Sequence, residues 1–235
     1  MSRRRPQIVA TVAALAALAL LAGCGGGSSS GNGVAGKSTA QILAATKQAS
    51  DSAKSVHVSG SLVSGGTPIT LDMNLIAGKG GRGQLSQSGL TFELIEVANT
   101  VYIKGSSSFY KHIGGSAAAQ LLQGKWLKAA SGSSGFASIG QLTNLRALVD
   151  QTLADHGSLT KTGTTTVNGQ KVVGVSDKGK GGTLYIAATG KPYPVQISRS
   201  GSGTGTISFD HWDEPVTLAA PANAIDIAQL QAAAK

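Results

Sequence analysis

The stretch 31–38, GNGVAGKS, matches the G-x-x-x-x-G-K-[ST] pattern of a phosphate-binding P-loop. Such a loop binds phosphate only between a buried strand and a helix, because backbone N–H groups and the helix N-terminus must converge on the ligand. Here only the Gly/Ser stretch 25–30 precedes the motif, so no strand leads into the loop. We therefore interpret Ser38 as the N-cap of a helix, with Gln41 completing a capping box.

A second glycine motif, GKGGRG at 78–83, matches the G-x-G-x-x-G pattern of dinucleotide-binding loops. A strand-like segment precedes it, but the following GQLSQSG has the character of a strand and a turn. A pyrophosphate site needs a helix N-terminus at this point. The stretch 78–83 is therefore predicted to be the turn of a β-hairpin.

Cys24 is the only cysteine of the chain. It follows three arginines at 3–5 and an apolar run of 15 residues at 8–22, which is the pattern of a secretory signal. The order Leu-Ala-Gly-Cys at 21–24 resembles a bacterial lipobox, which predicts removal of residues 1–23 and diacylation of Cys24. The acyl chains, palmitate among them, would anchor the protein to the outer face of the cell membrane. The alternative is a free thiol at the end of an ordinary signal.

The titratable residues form no catalytic or metal-binding pattern in the sequence. The histidines are widely spaced, and none forms an i, i+4 pair: His57, His112, His156 and His211. Asp210 and His211 are neighbours on a predicted strand, so their side chains are expected to point to opposite faces, and the same holds for Glu93 and Glu96. We expect no enzyme activity, no metal and no cofactor.

Composition argues for one domain that binds no nucleic acid. The net charge is +9, and removal of the three signal arginines lowers it to +6. The remaining lysines are scattered and aromatic residues make up 4% of the chain, so there is neither a basic stripe nor a stacking platform for bases. We expect a flexible lipidated tether at 24–37 and a single domain at 38–235.

Hydrophobic periodicity predicts an α+β fold. An alanine-rich helix is expected at 39–54, a short one at 117–123 and another at 141–154. Apolar and polar residues alternate in the segments around them, and Asn168-Gly169 is a strong signal for a two-residue hairpin turn. The prediction is a large curved antiparallel β-sheet with helices covering its apolar face at one side.

Two short motifs in the C-terminal third resemble a known family. The first is Y-I-x-x-T-G-x-P at 185–192, and the second is W-x-x-P-V-x-L-x-x-P at 212–221. With the lipobox and the order of elements, they resemble the lipid-binding lipoproteins of the LppX and LprG type in actinobacteria, and more distantly the LolA/LolB-like carriers. The resemblance implies a LolA-like half-barrel that wraps over helices and encloses an apolar cavity for the acyl chains of lipids or lipoglycans.

Periodicity alone assigns the residues of this expected cavity. The sheet and the helix at 141–154 are expected to contribute Ile69, Leu71, Met73, Leu75, Phe92, Leu94, Leu145, Leu148 and Val149. The same residues would simply fill the core of a tethered scaffold or interaction module of the envelope, which is the alternative function. The sequence does not identify the lipid, the direction of transport or a transport partner.

Overall fold

A twelve-stranded sheet dominates the computed structural model, which describes residues 31–133, 136–154 and 156–233. The strands are Ser55–Ser64 (β1), Thr67–Ile76 (β2), Gly80–Gln87 (β3), Leu90–Val97 (β4), Thr100–Gly105 (β5), Leu127–Ala130 (β6), Leu159–Val167 (β7), Gln170–Asp177 (β8), Gly182–Ala187 (β9), Pro194–Arg199 (β10), Gly205–Asp210 (β11) and Ile225–Asp226 (β12). Their order across the sheet is β12-β6-β5-β4-β3-β2-β1-β11-β10-β9-β8-β7. Every pair is antiparallel except β12 with β6. The sheet is curved and open, with β12 and β7 at its two edges.

Five helices accompany the sheet in the described part of the chain: Thr39–Asp51 (α1), Ser107–Leu122 (α2), Ala137–Leu142 (α3), Leu145–Ala154 (α4) and Ile227–Ala233 (α5). None of them is long and apolar enough to cross a membrane. The helix predicted at 141–154 is interrupted, because the Asn144 side chain accepts a hydrogen bond from the backbone of Ala147 and so caps the start of α4. The helix predicted at 117–123 is the second half of α2, which is kinked at Gly115.

The start of α1 confirms the capping interpretation of Ser38. Its side chain accepts a hydrogen bond from the backbone N–H of Gln41, and the Gln41 side chain accepts one from the backbone N–H of Ser38. Residues 34–36 form a single 3-10 turn before this helix, and no strand leads into it from residue 31 onward.

The prediction that the tether extends to residue 37 is wrong for its last residues. The Val34 side chain is 1% exposed and packs in a core cluster with Val173 and Ile186. The Asn32 amide donates to the carbonyl oxygen of Ala187 at 2.9 Å. An apolar residue within a glycine-rich stretch can therefore dock a segment onto the domain. The signal, Cys24 and the start of the tether lie outside the described residues.

Both hairpin predictions are confirmed. Asn168 and Gly169 have φ values of 50° and 77°, the conformation of a type I′ turn, and they join β7 to β8. The glycine motif at 78–83 forms the β2–β3 turn and continues into β3. A Cβ atom on Gly83 would lie 2.0 Å from the carbonyl oxygen of Asp72 and 2.6 Å from Met73 Sδ. This glycine thus leaves space for the neighbouring strand.

The main core lies between the concave face of the sheet and α4. Alternate residues of β1 and β2 point into it, including Val56, Val58 and Leu75. Helix α4 contributes Leu145, Val149 and Leu153, which are spaced four residues apart and therefore share one face. This packing holds α4 over the middle of the sheet.

Candidate functional site: a leucine-walled cavity and its rim

A cavity of about 380 Å³ lies beside the main core, between the concave face of the sheet and the helices. Residues of the strands β1, β2, β3, β7, β8, β9, β10 and β11 line it, together with residues of α1, α3 and α4. Its apolar wall includes several half-buried side chains: Leu43, Leu62, Leu71, Leu148, Leu184 and Ile197. Such a concave, mostly aliphatic surface accommodates apolar ligands.

Four of the predicted site residues line this cavity, namely Leu71, Met73, Leu75 and Leu148. The other five do not: Ile69, Phe92, Leu94, Leu145 and Val149. Leu94, Leu145 and Val149 are at most 2% exposed and fill the adjacent core. Phe92 packs against the edge of that core, with its ring 5.2 Å from the ring of Phe109, and Ile69 is half-buried at the start of β2.

Helical geometry explains why neighbouring residues of α4 have different environments. Leu145 and Val149 face the packed core, whereas Leu148 lies about 60° around the helix from Leu145 and about 100° from Val149 and faces the cavity. Gln151 and Thr152 continue the cavity face toward the C-terminus of the helix. The predicted apolar face of this helix therefore spans two environments.

Sequence reasoning missed the residues that β9, β10 and α1 contribute to the wall. Leu184 and Ile197 form a directly paired position on β9 and β10, and both line the cavity. Alternation within the segments TLYIAA and PVQISRS places them on the apolar face of the sheet. The sequence pattern does not give the order of the strands in the sheet. This order places β9 and β10 on the same concave surface as β2, with β1 and β11 between them.

Polar residues lie along one part of the cavity wall: Gln151, His156, Asp177, Lys180 and Arg199. They come from the C-terminal end of α4, the loop after it, the β8–β9 turn and the end of β10. The cavity thus has an aliphatic wall and a polar rim that carries two cationic side chains.

Asp177 holds two of the loops at this rim in place. Its carboxylate accepts hydrogen bonds from the backbone N–H groups of Gly157 at 2.6 Å, Gly179 at 2.9 Å and Lys180 at 3.1 Å. The Gly157 bond is the main reason that the pKa of Asp177 lies below its ordinary value. Asp177 therefore stays ionised and joins the β8–β9 turn to the loop after α4.

The two family-like motifs meet at another junction of the domain. The rings of Tyr193 and Trp212 stack with their centroids 4.3 Å apart, and Trp212 Nε1 donates to the carbonyl oxygen of Pro194 at 3.1 Å. Asp213 accepts hydrogen bonds from Lys191 Nζ and Tyr193 Oη, each at 2.8 Å. The hydrogen bond from Lys191 is the main cause that lowers the pKa of Asp213 to about 2.

At the convex face of the sheet, the expectation that the side chains of Asp210 and His211 point apart is wrong. Asp210 and His211 do converge, because β11 ends at Asp210 and His211 has a φ of 48°, which brings its Nδ1 atom to 2.7 Å from Asp210 Oδ1. His57, on the paired strand β1, places Nδ1 at 2.6 Å from the same oxygen. Two histidines that are distant in sequence therefore meet at one carboxylate.

Glu93 and Glu96 point to opposite faces of the sheet, as expected for residues three positions apart on a strand. Glu93 forms an ion pair with Lys104 at 2.8 Å on one face of the sheet. Glu96 accepts a hydrogen bond from the hydroxyl group of Thr143, near the end of α3. These two carboxylates are thus engaged separately.

A second cleft, of about 680 Å³, is wider but has a different lining. It lies among the β2–β3 turn, the β4–β5 turn, residues 143–144 and residues 216–218. Several polar residues and glycines line it, including Lys79, Glu96, Asn99 and Asn144. Its walls fit hydrocarbon less well than the leucine-walled cavity does.

No model of a known protein family matches this sequence, and no curated protein does. Among solved structures, the chain is similar to LprF from Mycobacterium bovis, with a TM-score of 0.52 and 19% identity over 78% of this chain and 96% of that one. It is also similar to the lipoprotein LppX of Mycobacterium tuberculosis, with a TM-score of 0.50 and 18% identity over 77% of this chain and 100% of that one. The chain therefore has the LolA-like fold of the LppX and LprF type, which confirms at the level of the fold the resemblance carried by its C-terminal motifs.

Proposed function

We propose that this protein is an exported lipoprotein, anchored to the membrane through Cys24, that binds the acyl chains of lipids or lipoglycans and carries or presents them in the cell envelope. The observation that carries the proposal is the cavity of about 380 Å³ with its half-buried aliphatic wall. The fold shared with the lipoprotein LppX supports it. The anchor is proposed from the lipobox sequence.

The chemistry of the wall favours flexible hydrocarbon over a planar cofactor. Among the described residues that line the cavity, Phe209 is the only Phe, Tyr or Trp, and leucines predominate. Transfer of an acyl chain from water to this wall gains about 0.8 kcal/mol per buried methylene group. Because aliphatic contacts are not directional, the wall selects for chain length and shape more than for chemical detail.

The polar rim gives the bound lipid an orientation. A headgroup left at the end of the acyl chains would lie near Lys180, Arg199 and Gln151, whereas the methyl ends would lie toward Met73 and Leu75. An anionic or hydroxylated headgroup fits the side chains of this rim. The protein acts in this proposal as a carrier without chemistry of its own.

Uptake of a fluorescent fatty acid by delipidated protein tests the proposal. The wild-type protein should bind the probe, and Leu148→Trp should reduce the affinity about tenfold, because the indole displaces about two methylene groups of the ligand. Leu121→Trp is the matched control, since Leu121 lies on α2 outside the cavity and is 57% exposed. Mass spectrometry of lipids extracted with the native protein would identify the cargo.

The contrary result favours the tethered scaffold. In that case the wild-type protein takes up neither the fatty acid nor a fluorescent phospholipid, and Leu148→Trp destabilises the fold by about 1 to 3 kcal/mol as an overpacked core residue. This alternative is supported by the tight packing around Leu94 and Val149, which fill part of the concave face of the sheet.

A further inference from the structure

The convex face of the sheet carries a cluster of two histidines and two aspartates. His57 lies on β1, Asp72 on β2, and Asp210 and His211 at the end of β11. His57 is paired directly with Asp210, while Asp72 is its diagonal neighbour on the other side. Val56 and Val58, on either side of His57, are buried in the core, so the cluster faces away from the cavity.

Three side chains of this cluster can reach a single ion. One ligand atom from each of His57, Asp210 and His211 lies within 4.8 Å of the others. The rings of the two histidines approach edge to face, with centroids 5.6 Å apart. The side chains of Asp210 and His211 are 50% and 58% exposed, so the position is open to solvent.

The hydrogen-bonding requirement of His57 favours a positive charge at this position. Its Nδ1 atom lies 2.6 Å from Asp210 Oδ1, and its Nε2 atom lies 3.1 Å from Asp72 Oδ1. A neutral imidazole has one N–H group, which can satisfy only one of these carboxylates. A second proton satisfies both, and so does a metal ion at Nδ1 with the N–H group kept at Nε2. Asp72 would then fix the ring, as carboxylates commonly do for zinc-bound histidines.

We propose that His57, His211 and Asp210 bind a divalent transition-metal ion, with Zn²⁺ as the preferred one, and that Asp72 orients His57. Two imidazole nitrogens and one carboxylate oxygen form a ligand set that suits Zn²⁺, whereas Ca²⁺ and Mg²⁺ require oxygen ligands. A water molecule completes the tetrahedron. Two of the ligands lie on adjacent central strands, so the backbone holds them in place without the ion.

Zinc titration of the whole chain, made without a polyhistidine tag and stripped with a chelator, tests this site. We expect one Zn²⁺ per chain by calorimetry, no comparable binding of Mg²⁺, and tetrahedral absorption bands when Co²⁺ is used instead. His57→Gln and His211→Asn should each weaken Zn²⁺ binding at least tenfold, and asparagine keeps the left-handed backbone at position 211. His112→Gln is the matched control, because His112 is exposed on α2, outside the cluster.

A second readout keeps the test decisive if a variant is unstable. Zn²⁺ should raise the melting temperature of the wild-type protein and of His112→Gln, but not that of His57→Gln, because only a folded site gains stability from the ion. Asp72→Asn should weaken binding while the Co²⁺ bands persist, since Asp72 is not a ligand. Equal Zn²⁺ affinity in the wild type and His57→Gln would overturn the proposal, as would equal loss of affinity in His112→Gln.

Discussion

Asp213→Asn removes a charge at the junction where the two C-terminal motifs meet. The Asp213 carboxylate accepts hydrogen bonds from Lys191 and Tyr193 and from the backbone N–H of Lys54 at 2.8 Å, so it joins the β9–β10 loop to the start of β1. The backbone φ of Asp213 is 65°, a conformation that asparagine also tolerates. The substitution therefore tests the charge with little change in shape or backbone strain.

The size of the effect follows from the pKa of Asp213. Its value falls from 3.8 to about 2 in the folded protein, chiefly because of the hydrogen bond from Lys191. A fall of this size corresponds to about 2.4 kcal/mol at most. Since the Lys191 side chain is 55% exposed, solvent screens the pair, and we expect Asp213→Asn to cost about 1 to 2 kcal/mol at pH 7.

The loss of stability caused by Asp213→Asn should decrease as the pH falls. The pKa of Asp213 is lowered by folding, so its contribution is complete above the unfolded value of 3.8 and disappears as the pH falls toward 2. Urea unfolding of the wild type and Asp213→Asn between pH 2.5 and pH 7 should show two stabilities that converge at the acid end. Glu214→Gln, at the next and exposed position, removes the same charge as a control. A stability gap that persists unchanged at pH 2.5, or an equal effect of Glu214→Gln, would refute this reasoning.

Three further substitutions, two of them with a matched control, test other parts of the structure. Val34→Ala should lower the free energy of unfolding by about 1 to 3 kcal/mol in urea, because Val34 is buried, whereas Lys37→Ala should leave it unchanged. Gly83→Val should destabilise the domain by more than about 1 kcal/mol, since its Cβ would lie 2.0 Å from a backbone oxygen, and Gly36→Ala, which has open space, should not. Cys24→Ser should abolish labelling by a palmitate analogue in cells and prevent cleavage before residue 24, and normal processing would exclude the proposed anchor.

Local patterns were sufficient for most of the secondary structure. Alternation along the segments at 69–75 and 90–97 predicts strands because successive side chains of a strand point to opposite faces. The Asn168-Gly169 pair predicts its turn because both residues tolerate the positive φ values that the hairpin requires. The capping box at Ser38 is equally local, because it depends only on residues three positions apart.

The errors arose where a distant part of the chain changes the meaning of a local pattern. Glycine-rich sequence indicates a tether, but Val34 finds a buried position against β8 and β9, which the stretch itself does not reveal. Strand alternation predicts opposite faces for Asp210 and His211, but β11 ends at Asp210 and His211 has a positive φ, which turns its side chain back toward Asp210. Both outcomes depend on contacts made by residues more than a hundred positions away.

The spacing of apolar residues predicts on which face of each strand or helix they lie, because side chains repeat every 2.0 residues in a strand and every 3.6 in a helix. Which of these residues pack in the core and which line the cavity depends on how the elements are arranged in space. Leu145, Leu148 and Val149 are alike in the sequence, yet the first and last fill the core while Leu148 faces the cavity. The physical reason is that packing depends on the distance between α4 and the strands, and this distance is fixed by the curvature and strand order of the whole sheet.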